Sequence, residues 1–163
     1  MKKNVTGRRV AFLISCCFAV SANAQAGARD AAKVIMSPDP AAAKVEQQYG
    51  FADAIVTGNV VYLSGVVVGV REGETDLAAA YQRAFERIAG ILKASGASWD
   101  DVVDMTTFHT DLVTQMPAIS LVKSKFVKAP FPAWTAVQVS RLINENGITE
   151  IKLVARLPAE GGR

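Results

Sequence analysis

Between residues 76 and 95, apolar side chains return every three or four positions, and Leu77, Tyr81, Ala84, Phe85, Ile88, Ile91 and Leu92 fall on one face of a helix. Thr75 is the expected N-cap and Gly96 the expected stop. Two β-branched runs, residues 54–57 and 60–68, flank Gly58-Asn59, a pair suited to a tight hairpin turn, and Gly69 ends the second run. Residues 33–37 form a shorter strand candidate, and residues 102–109 read as a strand although their alternation is poor. A second helix is expected from Thr114 or Gln115, with Pro117 in its first turn and Ile119, Val122 and Phe126 facing inward. Pro130-Phe131-Pro132 ends that helix. Strands at 134–140 and 149–156 follow, joined through the turn Asn144-Glu145-Asn146-Gly147. This order predicts an α+β domain with helices on one face of a sheet.

The N-terminal residues carry a different pattern. Lys2, Lys3, Arg8 and Arg9 precede an apolar run of 11 residues, 10–20, and Ala22-Asn23-Ala24 follows, which is the layout of a secretory signal. The run is shorter than the ~20 residues a membrane-spanning helix needs. Cleavage after Ala24 is expected, which makes the mature protein exported, periplasmic or secreted, with no stable membrane association. Leu13-Ile14-Ser15-Cys16 also resembles a lipoprotein cleavage box, which would leave Cys16 lipidated but with almost no apolar run before it. The chain is thus expected to comprise a signal peptide at 1–24, a flexible leader at 25–32, one domain at 33–158 and a frayed end at 159–163.

Loss of the signal changes the electrostatic picture. The full chain has 18 basic and 15 acidic residues, and the signal holds four basic and no acidic ones, leaving 14 against 15 and a net charge of −1. The excess of positive charge therefore belongs to the signal, and no nucleic-acid partner is expected. Cys16 and Cys17 leave with the signal as well, removing disulfides and thiolate metal sites. His109 is the only histidine, so neither a zinc cluster nor a histidine-based triad with a second imidazole is expected. Asp100, Asp101 and Asp104 lack the glycine and terminal glutamate of an EF-hand and read as a solvated acidic loop. No metal or other cofactor is expected.

Four segments carry a more specific signal: Tyr62-Leu63-Ser64-Gly65, residues 105–112, Pro132-Ala133-Trp134-Thr135-Ala136-Val137-Gln138-Val139, and residues 149–155. Together they resemble the Rid family, the YjgF-type enamine/imine deaminases. The resemblance implies a chorismate-mutase-like fold, a mixed sheet with two helices on one face, and a homotrimer with a small-molecule cleft at each subunit interface. In the family's Pro-Ala-Arg-Ser-x-Val-x-Val segment the arginine holds the substrate carboxylate, and here that position is Trp134. The family's closing strand, Ile-Glu-Ile-Glu-Ala-Ile-Ala, overlays Thr149 to Ala155. That places the water-positioning glutamate, the candidate catalytic residue, on Glu150 and the second glutamate on Lys152. The tyrosine of the family's Gly-Pro-Tyr segment falls on Phe51. Ser64 and Gly65 match, and Ala136 takes a small position often held by cysteine.

Trp134 offers an N–H donor but no charge, so it does not replace a guanidinium against a carboxylate. It reads either as a packed interface aromatic or as a ring facing the ligand. Glu150 is a solvated strand residue or the group that positions water. Lys152, two residues on and therefore on the same strand face, is a partner for Glu150, a solvated lysine or a contact for an anionic ligand. Phe51 reads as apolar wall. Ser64 lies in a strand rather than in a Gly-x-Ser-x-Gly elbow, which suits positioning of a ligand or backbone better than nucleophilic attack. His109 is structural or lines the cleft. The leading expectation is an exported trimer that binds a small organic molecule, its deaminase chemistry lost or redirected. The alternatives are a hydrolase or deaminase that uses Glu150 on enamine/imine-type metabolites, and a protein-interaction or holdase role.

Overall fold

The computed structural model describes residues 27–158. The expected signal at 1–24 and tail at 159–163 lie outside the described residues. Of the expected leader, residues 27–32 form a local turn in which the Asp30 carboxylate accepts from Gly27 N–H at 2.7 Å.

Seven strands and three α-helices follow: β1 (Lys33–Ile35), α1 (Pro40–Tyr49), β2 (Ala54–Thr57), β3 (Val60–Leu63), β4 (Val66–Gly69), α2 (Leu77–Ser95), β5 (Val102–His109), α3 (Leu112–Phe126), β6 (Ala133–Gln138) and β7 (Gly147–Arg156). A short 3-10 turn, Trp99–Asp101, precedes β5. α1 is a helix beyond the two expected. Asp39 caps it by accepting from Ala41 N–H at 3.1 Å, Pro40 occupies its first turn, and Gly50 ends it in the left-handed region at φ 71°. α2 begins one residue later than expected, because the Asp76 carboxylate, not Thr75, accepts from the N–H groups of Ala78 and Ala79. α3 likewise starts at Leu112, earlier than expected, since Asp111 supplies the cap to Thr114 N–H. Pro117 then falls in the second turn. The N–H it lacks would have faced the carbonyl of Val113, an exposed residue whose carbonyl can turn to water.

The sheet runs β1-β2-β3-β7-β5-β6, antiparallel except for the parallel β5–β6 pair, whose connection is α3. β4 is off this path and also pairs with β7. The run expected as one strand, 60–68, is thus two: β3 pairs with the end of β7 (Val61↔Ala155) and β4 with its start (Val67↔Glu150). Ser64 and Gly65 leave the ladder between them. Ser64 turns its N–H to Asp53 O and its hydroxyl to Ala52 O at 2.6 Å.

Strict alternation in β7 divides the sheet into two faces. Thr149, Ile151, Leu153 and Ala155 are buried beneath the helices, whereas Glu150, Lys152, Val154 and Arg156 point to the open side. Tyr81, Phe85, Ile88 and Leu92 of α2 complete the core, each such burial contributing about 1.5–3 kcal/mol. Phe85 stacks on Trp99 at 5.1 Å and meets Phe126 at 5.3 Å, which joins α2 to α3. The Asp101 carboxylate accepts from Ser98 N–H and Oγ–H, so one member of the acidic loop serves the local turn.

Candidate functional site

The break between β3 and β4 opens a cleft. Phe51, Ser64, Gly65, Glu150 and Lys152 line a cavity of about 510 Å³, joined by Ile55 and Tyr62 on the open face of the sheet. Five of the six residues expected at the site therefore converge. Glu150 enters it from β7 beside Gly65, directly opposite Phe108 of β5. The missing side chain at Gly65 is what admits the carboxylate, because a Cβ there would overlap it. Neither Glu150 nor Lys152 forms a side-chain hydrogen bond or ion pair within the described residues, so both heads are open to a ligand. No ion pair joins Glu150 to Lys152, which leaves the other two readings of Lys152. The Ser64 hydroxyl is engaged with Ala52 O, a backbone contact beside the break. Phe51 is 43% exposed and forms one wall. Tyr62 and Ile55 were not singled out from the sequence, although Tyr62 begins the segment Tyr62-Leu63-Ser64-Gly65.

Trp134 lies elsewhere in the protomer. It pairs with Met105 in the β5–β6 ladder and points to the helix side, the face opposite Glu150. Its indole N–H donates to Thr107 Oγ1 at 3.1 Å. Thr107 in turn meets His109 Nε2 at 2.9 Å, and His109 Nδ1 meets Gln115 Oε1 at 3.1 Å. Gln115 gives its amide N–H to Thr110, so its carbonyl oxygen accepts from both Thr149 Oγ1 and His109 Nδ1–H. The Thr107 hydroxyl then donates to Nε2, and Tyr81 donates to Thr149 at 2.6 Å. Every polar group in this buried chain is satisfied with a neutral imidazole, and burial pushes the His109 pKa below its usual value. Burial also pushes the Tyr81 phenol up to about 12. His109 is accordingly a structural residue beneath Trp134.

A larger cavity of about 540 Å³ lies between β1, α1 and α2. Its walls are mainly apolar, and its buried carboxylate, Asp53, is neutralised by Arg87 at 2.9 Å. The cleft at Gly65, with two unpaired ionisable heads, is the better place for chemistry. Among the described residues no group of three histidine, cysteine or acidic side chains could hold a metal ion, and no helix is long and apolar enough to cross a membrane.

An α+β sheet layered on one side by helices, with a polar cleft where one strand breaks, is the class of protein this geometry defines. The family described as Endoribonuclease L-PSP matches residues 40–157, and the chain belongs to that family, the YjgF or Rid proteins. RutC family protein YjgH of Escherichia coli (strain K12) is 35% identical over 116 residues, covering 69% of this chain and 87% of that protein. The 2-iminobutanoate/2-iminopropanoate deaminase of Dermatophagoides farinae is 34% identical over 108 residues, covering 64% of this chain and 83% of the relative. Among solved structures, protein YJGH matches with a TM-score of 0.65 at 32% identity, over 77% of this chain and 95% of that one. Rv2704 from Mycobacterium tuberculosis, a member of the YjgF/YER057c/UK114 family, matches with a TM-score of 0.67 at 25% identity, over 77% and 99%. The fold is the family's chorismate-mutase-like one, with α1 added to the two helices expected.

Proposed function

We propose that the protein is an exported Rid-family homotrimer whose intersubunit clefts bind a small organic molecule, the family's usual imine deamination being lost or redirected. The observation that carries this reading is the cleft at Gly65, where an unpaired Glu150 carboxylate faces open space while the position of the family's arginine holds an uncharged Trp134 turned toward the helices. Relatives named 2-iminobutanoate/2-iminopropanoate deaminase and Reactive Intermediate Deaminase A support an imine-type ligand. The open face of the sheet supports association: Tyr62 is 48% and Val137 38% exposed there, an apolar surface that a neighbouring copy would cover. β6 is an edge strand, so a neighbour set against it would bring its own cleft toward Trp134.

The test pairs light scattering with turnover. The protein should scatter as three times its monomer mass, and it should accelerate ammonia release from freshly generated 2-iminobutanoate far less than an active family member does. A stable monomer at micromolar concentration would remove the intersubunit cleft, and full activity on that carboxylate-bearing imine would show that no arginine is needed.

The free carboxylate of Glu150 favours a second reading, a hydrolase acting on imine-like electrophiles without a carboxylate, with Glu150 positioning water. Saturable ammonia release from neutral imines, lost in Glu150→Gln, would distinguish this from a binding protein.

A further inference from the structure

The cavity of about 540 Å³ between β1, α1 and α2 has Ile35, Met36, Ala42 and Ile91 among its apolar walls. Glu46 of α1 fastens one wall, its Oε2 accepting from Ser37 N–H at 2.9 Å. Gly90 lines the α2 side from mid-helix, where glycine is less favourable than alanine. Its φ is not positive and a Cβ built there meets nothing within 4 Å, so neither backbone conformation nor packing calls for a glycine. What the missing side chain does is keep the cavity open. The buried polar side chain at this cavity is Asp53, 5% exposed, whose carbonyl is held by Ser64 N–H at 3.0 Å. Arg87 donates to Asp53 Oδ1 at 2.9 Å and answers its charge, while the rest of the half-exposed guanidinium is open to water. Asp39 lies at the α1 end with its carboxylate on the helix cap. Asp53 Oδ2 accepts from no group of the described residues. An apolar cavity of this size, with a neutralised ion pair and one buried oxygen still able to accept, suits a ligand that donates a hydrogen bond and carries no charge.

We infer that this cavity binds a small, mainly apolar, uncharged molecule whose amide N–H or hydroxyl donates to Asp53 Oδ2. It shares no lining residue with the cleft at Gly65, so the inference does not rest on the proposed function. Calorimetric titration of the purified protein with 3-phenylpropanamide tests it. The amide should bind saturably. Methyl 3-phenylpropanoate, neutral but without a donor, should bind at least about tenfold more weakly, and so should the charged 3-phenylpropanoate and 3-phenylpropylammonium ions. Gly90→Leu, which fills the cavity from a position with room for a side chain, should abolish binding while raising the melting temperature by a few degrees. Asp53→Asn should weaken the amide by at least about tenfold, and should that variant fail to fold, the ligand contrasts and Gly90→Leu decide. Glu150→Gln should bind as the parent does, which separates this cavity from the cleft. Equal binding of the ester, tighter binding of either ion, unchanged binding in a folded Gly90→Leu or Asp53→Asn, loss of binding in Glu150→Gln, or no saturation at millimolar amide would each overturn the assignment.

Discussion

Gly65 lies against the side chain of Glu150 with no room for a methyl group: a Cβ built there would stand 2.7 Å from Glu150 Cγ and closer still to the carboxylate. Gly65 is not among the glycines with positive φ, so an alanine meets no backbone strain at this position. Gly65→Ala should therefore act through Glu150, turning the carboxylate out of the cleft. It should abolish any Glu150-dependent turnover and cost about 1–3 kcal/mol of stability. In a Glu150→Ala background the same change should cost about 1 kcal/mol less, because the overlap is gone. Chemical denaturation of the four proteins measures this, and strict additivity would separate the two residues.

Trp134 supplies a different prediction, because restoring the family's arginine there sets a guanidinium beside Lys123. Trp134→Arg alone should recover only part of the activity on carboxylate-bearing imines. Adding Lys123→Gln should raise it by removing the neighbouring cation, and adding Lys152→Glu should raise it by more than the sum of the single changes. Within one protomer Trp134 and Lys152 occupy opposite faces, so that last coupling requires the cleft of a neighbouring subunit. Steady-state ammonia release reads each variant, and Glu150→Gln should erase whatever is gained. If the combined variants stay inert while still trimeric, the cleft has diverged beyond these positions.

α2 and β7 were legible in the sequence because each turns a regular set of apolar residues to one buried face. The break at Ser64-Gly65 was not, since Val60 to Val68 is apolar throughout apart from those two residues and Tyr62, and only pairing with β7 shows where the ladder opens. α1 could have been read: Asp39-Pro40 and Gly50 bracket it, but its inward face is so poor in large apolar residues that periodicity does not reveal it. Its buried member is Glu46, which accepts from Ser37 N–H at 2.9 Å. The resemblance named Phe51, Ser64, Gly65, Glu150 and Lys152, which the fold brings to one cleft. It could not orient Trp134, because which face an edge strand turns inward depends on its register against β5.

Export is predicted from the three consecutive signal regions. Mass spectrometry of protein recovered from the host's exported fraction should find Gln25 at the N-terminus, free or cyclised. An intact Met1 would remove the export reading, and a lipidated Cys16 would replace it with a membrane-anchored one.

The buried chain under Trp134 makes stability depend on pH in a defined direction. His109 is neutral in the fold, with its pKa pushed below the ordinary 6.5 by burial, while the unfolded chain protonates near that value. The unfolded state thus binds the extra proton first. The contribution of His109 is fully present above pH 6.5 and is lost as the pH falls from there toward the folded pKa. The slope attributable to this one group is at most about 1.4 kcal/mol per pH unit. His109→Gln keeps a polar group between Thr107 and Gln115 but does not titrate, so it should lower stability at pH 8 while flattening the fall between pH 6.5 and 5. Denaturant titrations of both proteins across that range isolate the histidine from the carboxylates they share. Parallel pH profiles would mean that His109 does not carry the acid sensitivity, whatever the absolute loss at pH 8.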